Sequence, residues 1–170
     1  MLIKEAKKII EMLELTKLPF EGGYYRRTYI SKEEVSILNR TSGYKEYLHA
    51  SIYYLITSAN FSAMHILNND EFFHFYKGSP CEIFLIYHDG KSELVKLGND
   101  IEVGQVQQCF VHKATWQGLR VVDEGSYSLL GTTTSPAYDQ RSFRLGSRSE
   151  LIGLYPQYTT LIKRYTYGET

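Results

Sequence analysis

Residues 61–78 read FSAMHILNNDEFFHFYKG, and the fold turns on how this stretch is divided. Phe61–Leu67 and Phe72–Tyr76 are rich in aromatic, branched and small residues that suit a pleated, half-buried surface. Between them Asn68-Asn69-Asp70 supplies short polar side chains that favour a turn. Two strands are therefore expected, Phe61–Leu67 carrying His65 and Phe72–Tyr76 directly after Glu71. Six residues separate Glu71 from Gly78, where the second strand should end. Side chains alternate between the faces of a strand, so His65 and Leu67 share one face. His74, three residues from Glu71, points to the opposite face unless a bulge intervenes.

The same pattern extends outward from about Gly22 to Thr134. Further strands are expected near Tyr24–Ile30, Ala50–Thr57, Glu82–Tyr87, Ser92–Lys96, Gly104–Val111, Trp116–Val122 and Tyr127–Thr133. Asp89-Gly90 predicts a two-residue type I′ hairpin turn, because both central residues tolerate positive φ. Gly98-Asn99-Asp100 and Glu124-Gly125 are weaker turn signals. So many short strands without an intervening helix predict a mainly β protein, an antiparallel sandwich or barrel. At the start, Leu2, Ile3, Ala6, Ile9, Ile10 and Leu13 fall on one face of an amphipathic helix. At the end, Leu151, Leu154, Tyr155, Tyr158, Leu161, Ile162 and Tyr165 recur at helical steps, divided by Pro156 into two short helices. Ser31–Tyr47 is expected to be the most mobile loop.

A chain of 170 residues and 19.7 kDa is read as one domain spanning 1–170. Lys plus Arg and Asp plus Glu are both 19, so no global charge draws the protein to nucleic acid or to an anionic membrane. Cys81 and Cys109 lie in apolar segments outside any C-x-x-C pair and are read as buried free thiols in a reducing compartment. The charged N-terminal segment lacks the apolar core of a signal peptide, and no apolar run reaches the ~20 residues of a membrane span. A cytoplasmic protein is expected.

A closed β architecture brings side chains from distant strands into one cavity. His65 and Glu71 are the candidate catalytic residues, since an imidazole and a carboxylate can act as acid and base once a cavity moves their pKa values toward neutrality. Tyr24, Arg26 and Thr28 share one face of their strand, and Tyr25, Arg27 and Tyr29 share the other. An arginine beside aromatics can hold a ligand's carboxylate or phosphate. Fifteen tyrosines and eight phenylalanines exceed what one cavity can use, so most are read as core or oligomer surface. The candidate ligand-binding residues are Tyr24, Arg26, Tyr53, His74, Tyr76, Trp116 and Gln117. His49 and His88 carry no functional signal, and His112 is read as structural.

Five segments together, FEGGYYRRTY (20–29), SIYYLIT (51–57), residues 61–78, VHKATWQG (111–118) and the stretch 135–164, resemble the fifth cupin domain family, a branch of unknown function. That family opens with EGGYYRETY and carries H-x-x-x-[ST]-D-E-x-W-H-F-Y. The resemblance implies a cupin double-stranded β-helix, an RmlC-like jelly-roll barrel, together with a small-molecule pocket and a homodimer. In the metal-binding cupin pattern two histidines one residue apart, a glutamate and a later histidine hold the ion. His65 and Glu71 stand at two of these positions, Leu67 replaces the second histidine and Gln117 the last. His65, Glu71 and Gln117 are thus the candidate ligands of a divalent metal ion, and one imidazole makes them a poor set for Fe, Ni or Zn. Arg27 stands where the family has an acidic residue, Phe73 where it has tryptophan, and HKA precedes Trp116 where it has PAG. The leading expectation is metal-independent isomerase or epimerase chemistry on a polar or sugar-like metabolite. The alternatives are a metal-dependent oxygenase or isomerase and a non-catalytic, ligand-binding or structural dimer.

Overall fold

The computed structural model describes residues 4–36, 45–123 and 126–168. Helix α1 (Lys4–Met12) is followed by β1 (Thr16–Lys17), β2 (Tyr24–Ile30), β3 (Glu34–Val35), β4 (Glu46–Tyr47), β5 (Ala50–Thr57), β6 (Ser62–Leu67) and β7 (Asp70–Gly78). Then come β8 (Cys81–Ile86), β9 (Ser92–Leu97), β10 (Gln108–Val111), β11 (Trp116–Val121), β12 (Tyr127–Ser135) and β13 (Phe143–Leu145). The chain closes with α2 (Arg148–Leu154), a 3-10 turn at Pro156–Tyr158 and α3 (Thr159–Tyr165).

Two antiparallel sheets face each other in a jelly roll. The larger has the order β1-β2-β5-β12-β7-β10, the smaller β13-β6-β11-β8-β9, and β3 pairs with β4 apart from both. Strands β6 and β7 do not pair. At Asn68-Asn69 the chain crosses from the small sheet to the large one, and this crossing sets His65 and Glu71 on opposite walls of the interior.

Alternation sorts the side chains of each strand. Ile56, Phe73, Phe75, Ile83, Leu85 and Leu130 point between the sheets and pack as the central core. The outer face of the small sheet presents Met64, Phe84, Ile86 and Trp116, which Leu151, Ile162 and Tyr165 of the C-terminal helices cover. The outer face of the large sheet presents Leu55 and Tyr127, covered by Ala6 of α1 together with Ile9, Ile10 and Leu13. Each amphipathic helix thus buries its apolar stripe on a sheet face that would otherwise be wet. Gly118 lets α3 approach β11, since a Cβ there would lie 2.9 Å from Met64 Sδ and 3.2 Å from the Tyr165 side chain.

The expected strands form, and several bounds differ. The strand predicted from Gly104 begins only at Gln108, because a 3-10 turn at Ile101–Val103 ends on Gly104 with φ 81°. The Asp89-Gly90 turn is not type I′: of the two, only Gly90 has positive φ, at 80°. Gly90 N–H donates to the Tyr87 carbonyl at 2.9 Å, and Tyr87 N–H to the Lys91 carbonyl at 2.9 Å, which makes the loop three residues long. The short edge strands β1 and β13 have too few residues to show a period of two and were not expected. Residues 37–44 of the loop predicted to be mobile, the Glu124-Gly125 turn, and Leu2 and Ile3 of the first helix lie outside the described residues. Cys81 and Cys109 are buried free thiols, and burial pushes the first up to about 12 and the second to about 11. No helix among the described residues is long and apolar enough to cross a membrane.

Candidate functional site

The apolar core fills one end of the space between the sheets, and the other end is a cavity of about 410 Å3. Along β5 the inward residues run Ala50, Ile52 and Tyr54 in the cavity to Ile56 in the core. Along β12 Thr134 and Thr132 give way to Leu130, and along β7 Glu71 gives way to Phe73 and Phe75. The polar positions therefore cluster at the open end.

His65 of β6 and Glu71 of β7 both line this cavity, 3% and 7% exposed. His65 Nδ1 is 2.8 Å from the Ala63 carbonyl. A carbonyl only accepts, so Nδ1 carries a proton, and in the neutral tautomer this leaves the lone pair on Nε2. The imidazole stacks on Phe143 with ring centroids 5.3 Å apart. Gln117 of β11 is in register with His65 and 1% exposed, and its Nε2 donates to Glu71 Oε2 at 2.8 Å. Burial pushes the Glu71 carboxyl up to about 7, although the neighbouring His65 and the amide of Gln117 pull it down, while Glu21 adds to the rise.

Glu21 is a second carboxylate in the lining that reading the residues alone did not single out. Its Oε1 accepts from Ser62 Oγ at 2.9 Å and lies 3.0 Å from Tyr54 Oη, which is also 2.9 Å from the Gly22 carbonyl. Burial and the charge of Glu21 hold the Tyr54 hydroxyl well above the ordinary tyrosine range. Tyr25, Arg27, Tyr138, Gln140 and Phe143 complete much of the wall. The one signal for Tyr25 and Arg27 is their shared strand face; Tyr138, Gln140 and Phe143 come from a coil, a single 3-10 turn and a short edge strand, too short to show a period.

Of the candidate ligand-binding residues, Arg26 borders the cavity, with Nη1 3.3 Å from Glu14 Oε2 and its guanidinium 5.8 Å from the Tyr53 ring centroid. Gln117 stands behind Glu71 rather than in the lining. The other five do not face the cavity, and the expectation that they would is corrected. Tyr24 and Tyr53 pack with α1 on the outer face of the large sheet. Tyr76 lies on that face too, edge-on to Tyr53 at 6.1 Å. His74 follows strict alternation, stacking near Phe72 and lying 3.3 Å from Gln108 Nε2. Trp116 is buried under the C-terminal helices, with the Arg144 guanidinium 4.5 Å from its ring.

The donor set does not fit a tightly held divalent ion. His65 offers one imidazole nitrogen, and one oxygen of Glu71 already accepts from Gln117. An amide that turns its NH2 toward Glu71 turns its oxygen away, and Gln117 Oε1 is buried without a hydrogen-bond partner. Among the described residues no three His, Cys, Asp or Glu side chains converge as metal ligands. Leu67 faces the cavity where a second imidazole would complete such a group.

A two-sheet jelly roll with a polar cavity at one end, reached by side chains of β6 and β7, is the architecture of the cupins. The chain belongs to the family described as Cupin superfamily (DUF985), whose model matches residues 7–146. It is similar over 96% of its length to the crystal structure of protein SO0799 from Shewanella oneidensis, with 29% identity, 98% of that chain covered and a TM-score of 0.85. A hypothetical protein from Leishmania major is similar at 29% identity and a TM-score of 0.87, over 96% of this chain and 99% of that one. Oxalate decarboxylase from Bacillus subtilis shares the fold at 11% identity and a TM-score of 0.54, with 92% of this chain matched to 39% of that one. No curated protein matches the chain.

Proposed function

We propose that the cavity binds a small polar or sugar-like metabolite and that His65 and Glu71 move a proton on it, making the protein a metal-independent isomerase or epimerase. The observation that carries this reading is a buried carboxyl poised near neutral pH opposite an imidazole whose Nε2 is free to accept. A carbon-bound proton beside a carbonyl passes to Nε2 of His65, and the electron pair of the broken C–H bond moves onto the carbonyl oxygen. Protonated Glu71 returns a proton to the carbon from the opposite wall, and solvent exchange resets both groups. Gln117 orients Glu71 through its amide, and Glu21 orients Tyr54. No oxidant or reductant enters the balance.

The test is to screen hydroxy-aldehydes and hydroxy-ketones by proton NMR in D2O for carbon-bound exchange. Wild-type protein is expected to exchange one position, with Glu71→Gln and His65→Ala each slower by about 100-fold or more while binding survives. Ligands that bind wild type without exchange would replace the enzyme with a binding protein, and exchange unaffected by either substitution would take His65 and Glu71 out of the chemistry.

A further inference from the structure

We infer that Arg27 makes this cavity selective for an anionic polyol, a hydroxylated molecule ending in a carboxylate or phosphate, over a neutral sugar. The inference rests on the reading of the cavity as a small-molecule site. Arg27 of β2 is in register with Ile52 of β5, and both line the cavity. Arg27 is exposed and also borders a recess of about 140 Å3 that shares Tyr138 with the cavity.

The carboxylates that line the cavity are already committed, and Asp139 in the neighbouring recess pairs with Arg141. Glu14 pairs with Arg26, Glu21 accepts from Ser62 and faces Tyr54, and Glu71 accepts from Gln117. Arg27 forms no ion pair or hydrogen bond with any described residue. Among the described residues it is the cation in the lining without a protein counter-ion, and a guanidinium recognises a planar carboxylate or a phosphate through paired N–H donors.

The register sets the length of the ligand. Arg27, Ile52, Thr132 and Phe73 lie in one row across β2, β5, β12 and β7, and Glu71 is the next inward residue beyond Phe73. Three inter-strand spacings amount to about 14 Å. Glu71 lies a further two-residue step, about 7 Å, along β7, so an extended ligand rather than a small ion is needed to touch both Arg27 and Glu71. Hydroxyls along such a chain meet Thr132, Thr134 and Tyr138 on the way.

The test is isothermal titration calorimetry of the full chain with gluconate, glucose 6-phosphate and glucose, repeated with Arg27→Gln and Arg27→Lys. At least one anion is expected to bind about 10-fold or more tighter than glucose, with Arg27→Gln abolishing that preference and Arg27→Lys restoring part of it. Gluconate binding alone identifies a carboxylate site, and glucose 6-phosphate alone a phosphate site. Equal affinity for glucose, an anion preference that survives Arg27→Gln, or no anion binding up to about 10 mM would overturn the inference. Anion binding that depends on Arg27 without carbon-bound exchange would sink the isomerase reading and leave this one standing. Exchange on neutral sugars that is indifferent to Arg27→Gln would do the reverse.

Discussion

Glu71 holds its proton to a higher pH than an ordinary glutamate because burial takes its carboxyl out of water, and the hydrogen bonds from Gln117 and Thr132 only partly offset that. The folded protein therefore binds a proton that the unfolded chain releases between the usual 4.5 and about 7. Stability from this group is complete below pH 4.5 and declines as pH rises through about 7, by an amount on the order of 3 kcal/mol. Denaturant melts from pH 4.5 to 8 are expected to show this decline, and Glu71→Gln should remove it because a neutral amide has no proton to lose. An unchanged slope in Glu71→Gln would mean that Glu71 titrates normally. Leu67 supports a second prediction. It is 4% exposed, lines the cavity and shares a strand face with His65, so Leu67→His would set two imidazoles and a carboxylate around one point. Plasma mass spectrometry after incubation with Ni or Zn should find about one ion per chain in Leu67→His and far less in wild type. Stoichiometric metal in wild type would overturn the reading of the donor set, and none in the variant would show that the three groups do not converge.

Among the elements, the strands were the most legible, because alternating apolar residues need only local sequence to declare themselves. Tyr24–Ile30 and Ala50–Thr57 have the bounds that their residues predict. The same alternation sends His74 outward, against the motif match that counted it among ligand-binding residues. The 88–90 turn went differently because Asp89 keeps a negative φ and the loop takes one more residue than Asp-Gly alone suggests. Gly118 shows an element defined by what packs on it. A valine there would push its branched side chain into Met64 and Tyr165, lifting α3 from β11. We expect Gly118→Val to cost about 1–3 kcal/mol, read as a lower thermal midpoint with increased solvent exposure of Trp116 by fluorescence. An unshifted midpoint would mean that α3 is not held by this contact.

At the scale of the whole molecule, two steps separate the residue pattern from the site. The order of hydrophobic and turn residues determined two strands in 61–78, one carrying His65 and one carrying Glu71, and the family motif singled out that pair. That order also determined both amphipathic termini, since their apolar stripes repeat within a few residues. What only the tertiary structure decided is which of the many tyrosines and arginines meet those two. Tyr54, Glu21, Arg27, Tyr138 and Phe143 come to the cavity from separated parts of the chain, while Tyr24, Tyr53, Tyr76 and Trp116 pack outside it. The physical reason is that alternation tells the two faces of a strand apart without saying which one is inside. That choice follows from the crossing of the chain between sheets at Asn68-Asn69 and from which faces the terminal helices cover.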